Sequence, residues 1–263
     1  MTRIDNKFAE LKKSGKKGLF IYIMAGAPDM ETTFEAVKAA EKSGADIIEL
    51  GLPFSDPLAD GPVIQEAGIK AIKGGATLSS ILDLIVRIRS FSDIPLVGMG
   101  YINNILKYGK EKFVRDFKEA GLDGAIIPDV PHEESADLRK ICENEKFNFI
   151  EFVTPDTTDE RIKEICSSAK GFIYAVSVNG VTGVREIDYS VIGNVARRVK
   201  SETSTPLAVG FGIGSPSAAV SAAKNADAVI VGSAVVRRLL DGKLDEAADF
   251  IASLRQALDK MNG

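Results

Sequence analysis

Apolar runs punctuate the chain at regular intervals: Leu19–Ala25, Ala45–Leu50, Ile94–Met99, Gly124–Pro128, Asn148–Val153, Gly171–Val176, Pro206–Phe211 and Ala226–Val231. They are near-continuous rather than alternating, which predicts strands buried on both faces, as in a parallel sheet. Between them apolar residues recur at helical spacing, as in METTFEAVKAAEKSG, LSSILDLIVRIRS and LDEAADFIASLRQALDKM. Capping candidates stand at Thr77 and Asp159, and several helical stretches end at glycine. Eight strands, each followed by a helix, in ~250 residues predict an α/β fold of the (β/α)8 TIM-barrel type. No linker-like segment divides the chain, so residues 1–263 read as a single domain. A weak repeat, SGADIIELG, AGLDGAIIPD and KNADAVIVGS, agrees with this, although generic βα grammar also produces it. The alternative architecture is a doubly wound open sheet. Against it, no G-x-G-x-x-G follows the first strand, whose exit reads AGAPDM.

Composition narrows the class. With 45% hydrophobic and 27% charged residues of both signs, the chain can build a sizeable core. A formal charge of −4 has the wrong sign for a general nucleic-acid binder. Cys142 and Cys166 are too few for a disulfide framework and read as reduced, partly buried thiols. The first residues, MTRIDNKFAELKKSGKK, contain no apolar segment of the kind a signal peptide needs. The uncharged stretch Thr203–Ala223 is broken by three glycines and two prolines, so no membrane span is expected. The chain therefore reads as soluble and cytoplasmic. Its single histidine, His132, is expected exposed on a loop or helix start, and Lys12, Lys13, Lys16 and Lys17 on a solvated face. No His/Cys/Asp cluster has metal-ligand spacing, so no metal is expected, and catalysis must rest on carboxylates, hydroxyls and backbone.

In such a barrel the chemistry lies where strands end and lead into helices. The exits after the second and sixth strands are unusually long, as lids often are. Glu49 interrupts the apolar run ADIIEL. With Ile48 and Leu50 facing the helices, it points into the barrel mouth. Desolvation there raises a carboxylic pKa, which suits a general acid; a strand-end acid facing water or an arginine is the plainer reading. Asp56 and Asp60 follow in a loop stiffened by Pro53, Pro57 and Pro62, though SDP and ADG are also ordinary turn sequences. GFGIGS and VGSA close the seventh and eighth strands. They place Gly212, Ile213, Gly232 and Ser233 where backbone N–H groups bind phosphate in this fold. Tyr22, Met99, Tyr101, Phe152, Tyr174 and Phe211 stand at exits where they line a pocket or simply fill the core.

The segment ELGLPFSDPLADGPVIQ (Glu49–Gln65) resembles the signature of the tryptophan synthase alpha chain family. The likeness continues through PDVP at Pro128, YAVSVNGVTG at Tyr174–Gly183, GFGI at Gly210 and VGSA at Val231. It implies a lyase of tryptophan biosynthesis that cleaves indole-3-glycerol phosphate to indole and glyceraldehyde 3-phosphate by a retro-aldol step. On that likeness Glu49 is the acid/base carboxylate and Asp60 stabilises positive charge at the indole N–H. Thr182 hydrogen-bonds Asp60 when the lid closes, and Tyr174 stands near both acids. Gly183, Gly212, Ile213, Gly232 and Ser233 form the phosphate cradle, and Tyr22, Met99 and Phe211 surround the indole ring. The resemblance also implies a beta chain that carries pyridoxal phosphate (PLP) and receives the indole, in an αββα complex contacted near Pro53 and Asp56. No cofactor is expected in this chain itself.

Three positions depart from the family pattern: Ala27 where an acid often stands, Asn104 where proline is common, and Gly98 where a bulkier residue is usual. Gly98, beside Met99, bears on the shape of the indole pocket. Two other readings compete. A different small-phosphate enzyme on this scaffold would want a strand-end lysine or histidine, and none stands out. A non-catalytic activator of a beta chain would not need Glu49, Asp60 and Thr182 together.

Overall fold

The computed structural model describes residues 1–176, 189–210 and 212–262, with the side chains of 189–191 and 262 excepted. Its centre is a closed barrel of eight parallel strands in chain order. They are β1 (Gly18–Met24), β2 (Ile47–Gly51), β3 (Leu96–Met99), β4 (Gly124–Ile126), β5 (Asn148–Val153), β6 (Ile173–Val176), β7 (Leu207–Gly210) and β8 (Ala228–Val231). Each strand pairs with its predecessor, and β8 returns to β1 through Gly18 opposite Ala228. The predicted barrel is therefore the observed one, and the open-sheet alternative falls.

Strand pleating sorts the side chains. One set, including Phe20, Ile47, Val97, Ile150, Phe172 and Ile230, fills the barrel interior. The other, including Ile21, Ile23, Ile48, Leu50 and Val209, packs outward against the helices. The charged N-terminus forms a helix, Arg3–Ser14, opened by a capping box at Thr2 and closed by Gly15 at φ 67°. Its apolar residues Ile4, Phe8 and Leu11 recur at helical spacing and stop the bottom of the barrel. There the Phe8 ring meets Phe20 at 5.7 Å and Phe172 at 6.1 Å.

The short repeat has a physical basis. In each copy its aspartate accepts a backbone N–H near the start of the preceding strand. Asp46 takes Leu19 at 2.8 Å, Asp123 takes Leu96 at 2.9 Å and Asp227 takes Leu207 at 2.9 Å. A cation pairs with each carboxylate as well: Arg255 at 3.2 Å, Arg89 at 2.9 Å and Lys200 at 3.1 Å. These clamps stitch β1 to β2, β3 to β4 and β7 to β8 at the end opposite the strand exits.

Some local expectations need correction. His132 does begin a helical turn, but its side chain is only 10% exposed. Its Nδ1 lies 3.0 Å from Glu151, on the outward face of β5, and Arg139 closes the cluster. An outward-facing acid on a strand needs partners from the helix layer, and the histidine and arginine supply them. Lys17 is half-buried rather than solvated, because its ammonium donates to the Ala226 carbonyl at 2.7 Å. Thr158, not Asp159, caps its helix. Cys142 and Cys166 are buried and free, in line with the sequence.

Candidate active site

The register of β1 on β2 sets Tyr22 beside Glu49, and that of β2 on β3 sets Gly51 beside Met99. Because side chains alternate, Tyr22, Glu49 and Met99 share the inner face near the strand exits. On the opposite wall β6 contributes Tyr174. The β2 exit then loops over and returns Asp60 at its end, just before the helix Pro62–Lys73. Together they enclose a cavity of about 340 Å³. Its lining includes Tyr22, Glu49, Asp60, Met99, Tyr174, Gly212, Ile213, Gly232 and Ser233, nine of the residues singled out from sequence.

Thr182, Gly183 and Phe211 lie outside the described residues. Pro53 and Asp56 do not line the cavity. They sit on the outer run of the β2 exit, where the Pro53 carbonyl accepts Asn104 Nδ2 at 3.2 Å and Asp56 is exposed. Asn104 thus ties its helix to that loop. Phe152 stays in the barrel interior, its ring 5.1 Å from Tyr174, and does not reach the cavity. Gly98 faces outward, where a Cβ would meet Leu122 at 3.0 Å, so it does not shape the pocket wall. Val97 and Met99 take the inward positions of β3.

The cavity also gains Ile64 and Ile230, which the sequence alone does not single out. Ile230 has the inward parity of its strand, two residues before Gly232. Ile64 belongs to the first turn of the helix that follows Asp60.

The two carboxylates occupy unequal surroundings. Glu49 is 3% exposed, and burial with the nearby Asp60 charge pushes its pKa up to about 8. Asp60 is 7% exposed; burial pushes it up to about 6, and a hydrogen bond from Tyr101 holds it back. At neutral pH the first holds its proton and the second has lost it. The phenols of Tyr22 and Tyr174 lie well above their usual range, through burial and then the two acids.

In the same lining, Gly232 precedes the helix Ser233–Leu240, and Gly212 adopts φ 72°, which a side chain would strain. Helix geometry leaves the N–H groups of Ser233 and Ala234 without intrahelical acceptors, and both residues line the cavity. One cavity is therefore lined both by two buried carboxylates and by free N–H groups of a helix start, a type of donor that suits an anion.

A family model described as tryptophan synthase alpha chain matches residues 8–262. The tryptophan synthase alpha chain of Caldanaerobacter subterraneus subsp. tengcongensis is 47% identical over 98% of this chain and 100% of its own length. That of Thermoanaerobacter sp. (strain X514) is 45% identical with the same coverage. Among solved structures, tryptophan synthase subunit alpha from Legionella pneumophila str. Paris superposes with a TM-score of 0.92 at 35% identity, covering 99% of both chains.

The chain belongs to the tryptophan synthase alpha chain family.

As a tryptophan synthase alpha chain it is a lyase that cleaves indole-3-glycerol phosphate. The activator and alternative-enzyme readings are thereby set aside. Membership also implies a beta chain partner. Among the described residues no three His, Cys, Asp or Glu side chains group to hold a metal ion. No helix among them is long and apolar enough to cross a membrane.

Proposed function

We propose that Glu49 carries the proton of the cleavage and that Asp60 is its ionised counterpart. Protonated Glu49 delivers its proton to C3 of the indole ring, while the Asp60 carboxylate accepts the indole N–H and balances the positive charge that develops there. The Glu49 carboxylate then takes the proton of the hydroxyl on the carbon bonded to C3. That carbon becomes the aldehyde of glyceraldehyde 3-phosphate, the bond to C3 breaks, and its electron pair returns to the ring to give indole. Glu49 ends the cycle protonated, so no net proton is consumed. One observation carries the assignment: two buried carboxylates of unequal environment share one cavity, with pKa values near 8 and near 6.

Binding follows from the same layout. Gly183, Gly212, Ile213, Gly232 and Ser233 hold the phosphate, and Tyr22, Met99 and Phe211 flank the indole. Tyr174 stands beside the acids, and Thr182 donates to Asp60 when the β6 exit closes. Residues 1–263 act as one catalytic domain in the cytoplasm, with no cofactor of their own. The PLP belongs to the beta chain, in an αββα complex that receives the indole. Pro53 and Asp56 lie at the contact, a reading supported by Leu58, 89% exposed on the same loop.

Indole release from indole-3-glycerol phosphate, by the purified chain with and without a beta chain, tests this. Glu49→Gln is expected to lower the rate at least ~100-fold without weakening beta-chain binding. Release at the wild-type rate contradicts the assignment.

A further inference from the structure

Asp60 ends a loop rather than a strand, so its carboxylate needs support that Glu49 receives from the barrel itself. That support comes from the β3 exit. The Tyr101 ring stacks on Phe54 of the β2 exit, with centroids 5.1 Å apart and planes 22° from parallel. Its hydroxyl accepts the Ala59 N–H at 3.1 Å and lies beside the Asp60 carboxylate, whose ionised form it favours. One buried phenol thus uses its acceptor on the residue before Asp60 and leaves its own O–H available to the carboxylate beside it. Tyr101 is itself anchored, because the next N–H, that of Ile102, donates to Asp129 at the β4 exit at 3.0 Å. Two residues further on, Asn104 Nδ2 binds the Pro53 carbonyl, gripping the far side of the same loop.

We infer that Tyr101 is a positioning residue for Asp60, fixing the loop-borne carboxylate at the place where positive charge develops during cleavage. The inference rests on the ionised role proposed for Asp60. The hydroxyl does two things: it holds the backbone that leads into Asp60, and it favours the ionised form of the carboxylate beside it. Other ionisable groups facing Asp60 are Tyr22 from β1, Glu49 from β2 and Tyr174 from β6, while Asp129 lies near Tyr101. None of these is a cation. Among these described neighbours the Tyr101 hydroxyl is what holds the Asp60 pKa down.

Tyr101→Phe deletes the hydroxyl and keeps the ring that stacks on Phe54. In the full chain, measured alone and with its beta chain, kcat is expected to fall ~10-fold with KM changed less than twofold. The acid limb of the pH–rate profile should move from near 6 to higher pH. A purely structural role would leave that limb in place, and a denaturation midpoint for the variant separates loss of fold from loss of position. Wild-type kcat with an unshifted limb overturns the inference, as does a raised KM with kcat unchanged. Asp60→Asn distinguishes the two levels. If it releases indole at the wild-type rate, the role of Asp60 falls and this inference with it. If it is inactive while Tyr101→Phe behaves as wild type, only the inference about Tyr101 falls.

Discussion

The hydroxyl of Tyr174 occupies the space that a side chain on Gly210 would need. A Cβ there would stand 2.1 Å from Tyr174 Oη and 2.5 Å from Cζ, far inside any contact distance. Gly51 stands in the same relation to Tyr22, again at 2.1 Å from the hydroxyl. Two strand glycines are thus the seats of two tyrosines that wall the carboxylate end of the cavity.

Gly210→Ala is therefore expected to push the Tyr174 ring out of place. Activity should fall at least ~10-fold, because small displacements at a reacting centre are costly, and stability by about 1–3 kcal/mol. Gly68→Ala is the contrast. Gly68 lies within a helix, and its Cβ would find nothing nearer than Met24 Cε at 3.6 Å. That variant should gain about 0.5–1 kcal/mol with no loss of rate. Steady-state kinetics beside urea denaturation of both variants checks the pair.

The pKa values of the carboxylates set the pH dependence of the chemistry. The roles proposed for the pair need Asp60 ionised and Glu49 protonated, so kcat should be bell-shaped, rising near pH 6 and falling near pH 8. Asp60→Asn should lose most of the rate at every pH, because the neutral amide cannot replace the ionised group. A rate that climbs steadily from about pH 6 to about pH 9 would contradict the assignment.

Stability carries a related signature with its own sign. Glu49 has a folded pKa of about 8 against an ordinary 4.5, so the folded state binds its proton more tightly than the unfolded state. Its contribution is fully present below about 4.5 and is lost as pH rises to about 8, at up to ~1.4 kcal/mol per pH unit. Glu49→Gln, neutral throughout, escapes that loss. Its melting temperature should exceed the wild type's near pH 8 by more than it does near pH 5. A constant difference across the range would argue against the buried, protonated glutamate.

At the other end of the barrel, the aspartate clamps should rank by the burial of their cations. Arg89 is 11% exposed, Arg255 14% and Lys200 45%. Asp123→Ala strands a buried guanidinium and the Leu96 N–H, and should cost about 3–5 kcal/mol. Asp46→Ala should cost somewhat less, and Asp227→Ala roughly 1–2 kcal/mol, since lysine stays hydrated. Denaturation midpoints of the three variants order them directly.

The barrel is legible in the sequence because its signal is global. Eight double-faced apolar runs and their intervening helical periods admit few architectures, and the parity of ADIIEL aims Glu49 inward from three residues. What escapes the sequence depends on contacts between distant segments. His132 reads as solvent-facing because its partner, Glu151, comes from an outward strand position nineteen residues away. The N-terminal segment shows in sequence only its charge, since three apolar residues among many charges show their purpose only once the barrel needs a floor. Gly98 draws attention through its neighbour Met99, though pleating sends the two to opposite sides. Tyr101 is visible as an exit aromatic, but its place beside Asp60 requires knowing how the β2 exit folds back.

The most direct test of the central claim is a carbon-13 NMR titration of the side-chain carboxyls in the intact chain, assigned with Glu49→Gln and Asp60→Asn. The account predicts two titration steps from this pair, near pH 6 and near pH 8, with the upper one absent in Glu49→Gln. Titration of both groups near about pH 4 would show two ordinary solvated acids, and the division of labour between Glu49 and Asp60 would fail.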